Sequence, residues 1–419
     1  MTESGEGNPN PLTKISKIET EMGRTISDAI LVEILARLPL RTIARFKLVC
    51  IKWKSEIESP YFRRLFVSVH RSSPSSSSSS SWSLMFALRL PITEAIGFHG
   101  CNAWDLPKSL ASYISPFERY SDLLCHYVAS SNGLVWIDAF TIPIRNSTEY
   151  LKSFVGNPVL QQWVEIPPPP SKSSPTGLVT RVENGAVSSF KVVRTKVERT
   201  EMGMMNVWSV YVYSSETGLW TFKRIRSSCR VSGLVPALNL DGKLYMWDNR
   251  CGSVDTEFGV LVGYDFYAEK GDDDDDQCRV IPFPLPDNKY VRRCLTTSRG
   301  DVLYVEILYR REEIDMASVG FDVFCFPLAM NPYDADIIYL WSRQHECLVS
   351  GNLRTLEFIV HQESENWSSL EGCCCRINKN DSKSHMIVYR NEHSTDVIVL
   401  SQFVLPPWMG SVPRPPQIC

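Results

Sequence analysis

Residues 26–65 read "ISDAILVEILARLPLRTIARFKLVCIKWKSEIESPYFRRL", and the apolar spacing of this stretch decides how the N-terminal part of the chain is built. Ser27 or Asp28 can cap a helix. Behind the cap, Ile30, Ile34 and Leu38 form one row and Leu31, Leu35 and Leu38 another, an apolar face wider than a helix needs to cover one side. The Leu38-Pro39 junction stops this helix, because the residue before a proline is pushed out of the α region. Thr42 is placed to cap a second helix. Phe46, Val49, Cys50, Trp53 and Ile57 then recur at helical spacing with Lys and Arg between them, leaving room for a break near Cys50 that the spacing does not place.

A segment of this size can scarcely bury enough surface to fold alone, and it carries more large apolar groups than a solvated tether would. Each bulky side chain removed from water contributes about 1.5–3 kcal/mol, so the excess calls for a docking surface. The spacer that follows, "SSPSSSSSSSWS" at 72–83, is flexible and cannot fix that surface on the rest of the chain. Between Arg24 and Arg64 nine Lys/Arg face four Asp/Glu, a balance of +5 against −8 for the remainder of a chain whose net charge is −3. A basic head suits an acidic protein surface or nucleic acid, and the interleaved Leu and Ile favour the protein surface.

This stretch resembles an F-box. The helix after an Asp, the Leu-Pro junction, "RFKLVC", the Trp three residues after the Cys and the Pro-Tyr-Phe exit carry the resemblance, and Ser27 stands where the family usually has Pro. The resemblance implies a small three-helix unit that binds the Skp-type adaptor of a cullin-RING ubiquitin ligase. It places Ile34, Leu38, Pro39, Leu40, Val49 and Trp53 at positions the family uses for its fold or that interface, and Leu31 on the same apolar face joins them as an expected adaptor contact.

From Trp82 onward short apolar runs alternate with Gly, Asn, Asp and Pro, which reads as all-β. Asn132-Gly133 and Asp241-Gly242 are tight-turn signals, and "VWSVYVYSSETGLWTFKR" (207–224) reads as a hairpin. A repeat emerges: Asn157 is followed six residues later by Trp163, Ser214 by Trp220 and Asn352 by Phe358. Asp265 starts a fourth copy whose turn is expanded by "GDDDDD", and the long gap after it leaves room for an unmarked unit around "LTTSRGDVLYVEI". Strand-rich repeats of about 40–50 residues suggest propeller blades, about six to seven of them between 84 and 405. "GNPVLQQWVEIPPPP", "VYSSETGLWTFKR" and "IYLWSRQHECLVSGNLRTLEF" resemble the kelch-like F-box-associated β domain of plant F-box proteins, although the Gly-Gly doublet of a standard kelch repeat is missing.

The expected fold is therefore mainly β: a tail at 1–24, an F-box at 25–66, a Ser-rich linker at 67–83, a degenerate kelch-like β-propeller at 84–405 and a C-terminal tail at 406–419. The N-terminus lacks a basic region followed by an apolar one, and no stretch reaches the apolar length of a membrane span, so the chain reads as intracellular, in cytoplasm and/or nucleus. Thirteen Cys without framework spacing, Cys373, Cys374 and Cys375 among them, read as reduced thiols. No C-x-x-C pair exists, "HEC" (His345, Cys347) reads as packing and Asp272–Asp276 as a solvated loop. The seven His form no triad or metal-like constellation, so no catalytic residue, metal or cofactor is expected. Trp163, Trp220, Trp341 and Trp367 read as packing between blades, and Pro167–Pro170 as a stiff crossover.

The function these readings point to is a non-enzymatic substrate-recognition subunit of an SCF-type ligase, with an unknown protein target on the propeller, no nucleic acid and no membrane. Two alternatives stand beside it: a glycan- or ligand-binding propeller or propeller enzyme with a degenerate helical cap, and an adaptor-bound scaffold without a degradation target.

Overall fold

The computed structural model describes residues 27–71, 82–89, 92–96, 110, 114, 123–141, 151–196, 207–227, 237–248, 260–268, 277–282, 291–308, 325–343, 345–361, 385–386, 397–406, 408 and 410–416. They fall into two compact units, one holding the N-terminal helices and the other all the strands. The expected tail at 1–24 lies outside the described residues.

Among the described residues the first unit has four helices, one more than expected: α1 (Asp28–Ala36), α2 (Leu40–Phe46), α3 (Ile51–Glu58) and α4 (Pro60–Arg71). Ser27 caps α1, its hydroxyl accepting the Ile30 N–H at 3.4 Å. The helix ends at Ala36, with Arg37 as its C-cap, ahead of Pro39. Thr42 is not the cap of α2: the helix begins at Leu40 behind Pro39, and the Thr42 N–H is donated to the Pro39 carbonyl at 2.9 Å. Pro39 serves because its φ of −59° is preset and no N–H is needed at a helix entry. The stripe from Phe46 to Ile57 is divided between two helices, with the break falling at 47–50. Extended Cys50 starts α3 and its sulfur accepts the Trp53 N–H at 3.4 Å.

Pro-Tyr-Phe is an entrance, not an exit. Ser59 accepts the Phe62 N–H at 3.1 Å and Pro60 opens α4, which runs through Arg71 and so covers the first residues of the spacer expected at 67–83. Val32, Leu35, Ala36, Leu40, Ile43, Ile57, Phe62 and Phe66 are buried in this unit.

The described residues of the second unit form six small sheets, the blades of a six-bladed propeller. Blade 1 joins β1 (Trp82–Met85) and β2 (Glu94–Ile96) to β22 (Ser401–Val404) from the far end of the chain. Four blades are complete antiparallel meanders. Blade 2 holds β3 (Leu123–Ser131), β4 (Leu134–Thr141), β5 (Leu151–Asn157) and β6 (Gln162–Ile166). Blade 3 holds β7 (Ser173–Glu183), β8 (Ala186–Lys196), β9 (Val207–Ser214) and β10 (Leu219–Arg226), and blade 4 holds β11 (Leu238–Leu240), β12 (Lys243–Asp248), β13 (Val260–Asp265) and β14 (Arg279–Pro282). Blade 5 pairs β15 (Val291–Ser298) with β16 (Asp301–Leu308) and, in parallel, β21 (Val397–Val399). Blade 6 comprises β17 (Cys325–Met330), β18 (Ile337–Ser342), β19 (Cys347–Asn352) and β20 (Glu357–His361).

The repeat seen in the sequence is the outer hairpin of a blade. Gly156 faces Trp163 and Asn157 faces Gln162 in blade 2, while Gly351 faces Phe358 and Asn352 faces Glu357 in blade 6. Blade 3 uses the same register, with Tyr213 opposite Trp220 and Ser214 opposite Leu219. The polar residue is there to hold the turn: Asn157 Oδ1 accepts two backbone N–H groups at 3.0 Å, and Asn352 Oδ1 accepts two at 2.9 and 3.1 Å. In blade 4 Asp265 does the same at 2.8 and 3.0 Å, and the acidic run after it lies outside the described residues. The glycine leaves room for the aromatic, since a Cβ on Gly156 would sit 2.4 Å from the Trp163 ring. Blade 5 is the unmarked unit, with Arg299-Gly300 in its turn at positive φ.

Side chains on neighbouring blades close the gaps between them. Trp136 and Val155 of blade 2 pack with Phe190, Val192 and Tyr213 of blade 3, and Trp208 and Val210 of blade 3 pack with Met246, Val262 and Tyr264 of blade 4. Trp220 packs on the first of these clusters, and its indole N–H is donated to the Pro167 carbonyl at 2.8 Å, so the proline run is the crossover from blade 2 to blade 3. Trp341 lies with Trp82, Leu84 and Phe326 between blades 6 and 1, and Trp163 is half-buried, while Trp367 is outside the described residues. One charge pair is buried between blades 2 and 3, with Arg194 donating to Asp138 at 2.9 Å. The other Asp138 oxygen accepts from Trp136 at 2.8 Å and Ser153 at 2.6 Å.

Candidate functional site

The helical unit has a filled core and apolar side chains left over. Ile34 is 48% exposed, Val49 60%, Leu48 87% and Ile51 88%, with Ile30 and Tyr61 also exposed. Leu48 and Val49 sit in the turn between α2 and α3, and Ile51 opens α3. Local geometry holds this turn outward. Phe46 and Trp53, on either side of it, meet edge to face with ring centroids 5.3 Å apart, and the Leu48 and Val49 N–H groups are donated back to Arg45 and Phe46. Lys52 reaches Asp28 at 2.7 Å, joining the N-terminal ends of α3 and α1, the ends that carry Ile51 and Ile30. An exposed pair of this kind orients the helices more than it stabilises them.

The residues expected from the sequence divide three ways. Ile34 and Val49 lie on this surface, while Leu31, Leu38, Pro39 and Trp53 are half-buried. Leu40 is buried in the unit's own core. Leu48, Ile51 and Tyr61 were missed because they lie off the apolar stripe. The signal that could have found them is the break itself, since bulky residues flanking a helix interruption have no helical face to retreat into.

The propeller offers surfaces of a different kind. A cleft of about 390 Å³ between blades 4 and 5 is lined by Leu261, Ile281, Leu295 and Val302, with Asp241 and Asp301 exposed beside them. Among the described residues no group of three or more His, Cys, Asp and Glu could hold a metal ion. Cys125, Cys278 and Cys294 are buried, and burial pushes the Cys294 thiol far above the usual range, out of reach of thiolate chemistry. His345 and Cys347 lie in the β18–β19 turn and at the start of β19, where the His345 N–H is donated to Ser342. Cys373–Cys375 lie outside the described residues. No described helix is long and apolar enough to cross a membrane.

A small helical unit with exposed apolar side chains, followed in the chain by a six-bladed propeller, is a combination that known proteins share. The F-box domain model matches residues 26–65, and the model described as "F-box protein At3g26010-like, beta-propeller" matches 80–414. The chain belongs to this family of F-box proteins with a β-propeller. Among its relatives in Arabidopsis thaliana, F-box protein At1g49990 is 52% identical, covering 95% of this chain and 100% of its own length. F-box protein At3g26010 is 42% identical, covering 94% and 92%, and two further relatives carry an F-box/kelch-repeat name.

Proposed function

We propose that this chain is the substrate-recognition subunit of an SCF-type cullin-RING ubiquitin ligase. The helical unit docks on a Skp-type adaptor, the propeller holds a protein target, and ubiquitin transfer takes place on other subunits. The chain's own contribution is position: it raises the effective concentration of a target lysine beside the charged conjugating enzyme. Such a subunit works inside the cell, in cytoplasm and/or nucleus, without nucleic acid or membrane.

The observation that carries this reading is the exposed set Ile34, Leu48, Val49 and Ile51 on a unit whose core is already complete. Within it, Leu31, Leu38, Pro39 and Trp53 support the surface from below, and Leu40 acts through the fold. Co-expression with a Skp-type adaptor and a cullin tests it. The full chain should co-purify with both, and a chain lacking residues 27–71 should lose both while its propeller stays folded. Adaptor capture by the truncated chain, or none by the full one, defeats the proposal.

A further inference from the structure

The last part of the chain fills the seam between blades 2 and 3. Trp408 and Val412 are buried, and Val412 belongs to the cluster that Leu134 and Trp136 of blade 2 form there with Phe190 and Tyr213 of blade 3. The Val412 N–H is donated to the Gln162 side-chain oxygen at 3.3 Å. Pro406 lies against the β3–β4 turn, where a Cβ on Gly133 would sit 2.5 Å from its ring, and Pro415 lies against the β9–β10 turn, 2.9 Å from a Cβ built on Gly218. Residues 410–416, "GSVPRPP", form neither helix nor strand, and their prolines suit an extended polyproline conformation.

The same construction recurs between blades 4 and 5, where no described segment fills it. In blades 2 to 5 the first turn holds two consecutive residues at positive φ, Asn132-Gly133, Asn184-Gly185, Asp241-Gly242 and Arg299-Gly300, so the blades align on it. By that alignment Lys243 and Tyr245 of blade 4 stand where blade 2 has Leu134 and Trp136, and Val302 of blade 5 stands where blade 3 has Val187. Leu134, Trp136 and Val187 pack in the cluster that takes Val412, whereas Lys243, Tyr245 and Val302 line the cleft of about 390 Å³. Its walls are aromatic as well as aliphatic. Tyr245 and Tyr304 are half-buried there, and Tyr304 is fixed by stacking on Trp247, with ring centroids 5.7 Å apart, and by donating to Glu306 at 2.7 Å. The charged groups among the described lining residues are Asp241, Lys243 and Asp301. Lys243 is matched by Asp265 at 3.8 Å, while Asp241 and Asp301 are exposed and in no ion pair among the described residues.

We propose that the cleft between blades 4 and 5 holds an extended, proline-containing segment of the recruited protein, with a branched apolar side chain in the cleft and a Lys or Arg beside it meeting Asp241 and Asp301. The site rests on the recruitment reading above and adds the chemistry of the target to it. Three observations select this occupant. The matching seam is already filled by a segment of that kind, the chain's own Val412, Pro413 and Arg414. Aromatic walls suit proline rings, which dock in a preset conformation and lose little freedom in doing so. The two unpaired carboxylates, on a chain whose balance outside the basic head is −8, favour a basic segment over an acidic one.

The test is fluorescence anisotropy of a labelled Ser-Val-Pro-Arg-Pro-Pro peptide with the full-length chain, at physiological salt. The wild type should bind it saturably, and peptides with Asp in place of Val or Glu in place of Arg should each bind about tenfold or more weakly. Asp241→Asn with Asp301→Asn should weaken binding about threefold to tenfold and flatten its salt dependence. Val302→Arg should weaken it about tenfold or more by placing a charge on the apolar wall. Both Asn substitutions fall on exposed side chains, so that variant keeps the test decisive if Val302→Arg fails to fold. Failure of the peptide to bind the wild type, equal binding of the Glu-bearing peptide, or undiminished binding by either folded variant would each overturn the site, the last because the peptide then sits elsewhere, as in the seam between blades 2 and 3. Adaptor co-purification is read on the same samples. An absent peptide signal from a chain that still captures adaptor removes this site and leaves the proposed function standing.

Discussion

Replacing Leu48 and Ile51 together by alanine separates a docking surface from a folding core. Both side chains are nearly fully exposed, so the free chain gains almost nothing from them and its stability should stay within about 0.5 kcal/mol of the parent. Each substitution removes three carbon groups, worth about 0.8 kcal/mol apiece when covered, or about 5 kcal/mol for the pair at complete burial. Interfaces rarely bury every atom and binding carries ordering costs, so about 2–4 kcal/mol is the working expectation. That is a loss of roughly 30- to 700-fold in adaptor affinity. Isothermal titration against a Skp-type adaptor measures the affinity, and urea unfolding of the same samples measures the fold. Ile43→Ala is the contrast: this residue is buried, and its truncation should cost about 2–5 kcal/mol of stability in the helical unit. The reasoning fails if the double variant binds adaptor like the parent, or if it destabilises the chain as much as Ile43→Ala does.

Three further outcomes follow from the packing. Asp138→Ala strands Arg194, Trp136 and Ser153 at once and should cost about 3–5 kcal/mol in urea unfolding, while Asp138→Leu with Arg194→Met should recover most of it; a loss under about 1 kcal/mol from the single change contradicts a buried clamp. Gly156→Ala drives a methyl group to 2.4 Å from both Trp163 and the Gln162 carbonyl, so it should destabilise blade 2 by about 1–3 kcal/mol, seen as a lower Tm, whereas Gly300→Ala meets no atom and is penalised only through its positive φ. Burial holds the His70 imidazole below the usual histidine range, with hydrogen bonds to the backbone of Ala36 and Leu38 working against it. The unfolded chain therefore takes up a proton near pH 6.5 before the folded one does, and this stability, complete above that pH, is lost as pH falls below it. Urea midpoints at pH 7.5 and 5.5 should differ less in His70→Gln than in the parent, the remaining slope coming in part from His126, which burial also holds low.

Much of the architecture was legible because its causes are local. Ser27 beside α1, the proline junction, and the hairpins of blades 2, 3 and 6 that run from Asn157, Ser214 and Asn352 to an aromatic are each set by residues within about two turns or one hairpin of one another. The repeat therefore marked outer hairpins faithfully and even left the right gap for blade 5. It could not count the blades, because blade 1 pairs Trp82 with Val404 and blade 5 borrows Val397–Val399, and no local spacing announces partners so far apart in the chain.

The sequence by itself determined the helical identity of the head, the all-β texture of the remainder and the turn chemistry that spaces the blades. Only the tertiary structure decided that Leu40 goes to the core, that Phe62 and Phe66 of α4 are buried in the same unit, and that Leu48 and Ile51 are left facing solvent. It also decided that Trp408 and Val412, near the end of the chain, are buried in the propeller. The physical reason is the same throughout: spacing fixes which face of an element a residue occupies, but burial and charge repulsion depend on what packs against that face, and those neighbours come from elsewhere in the chain.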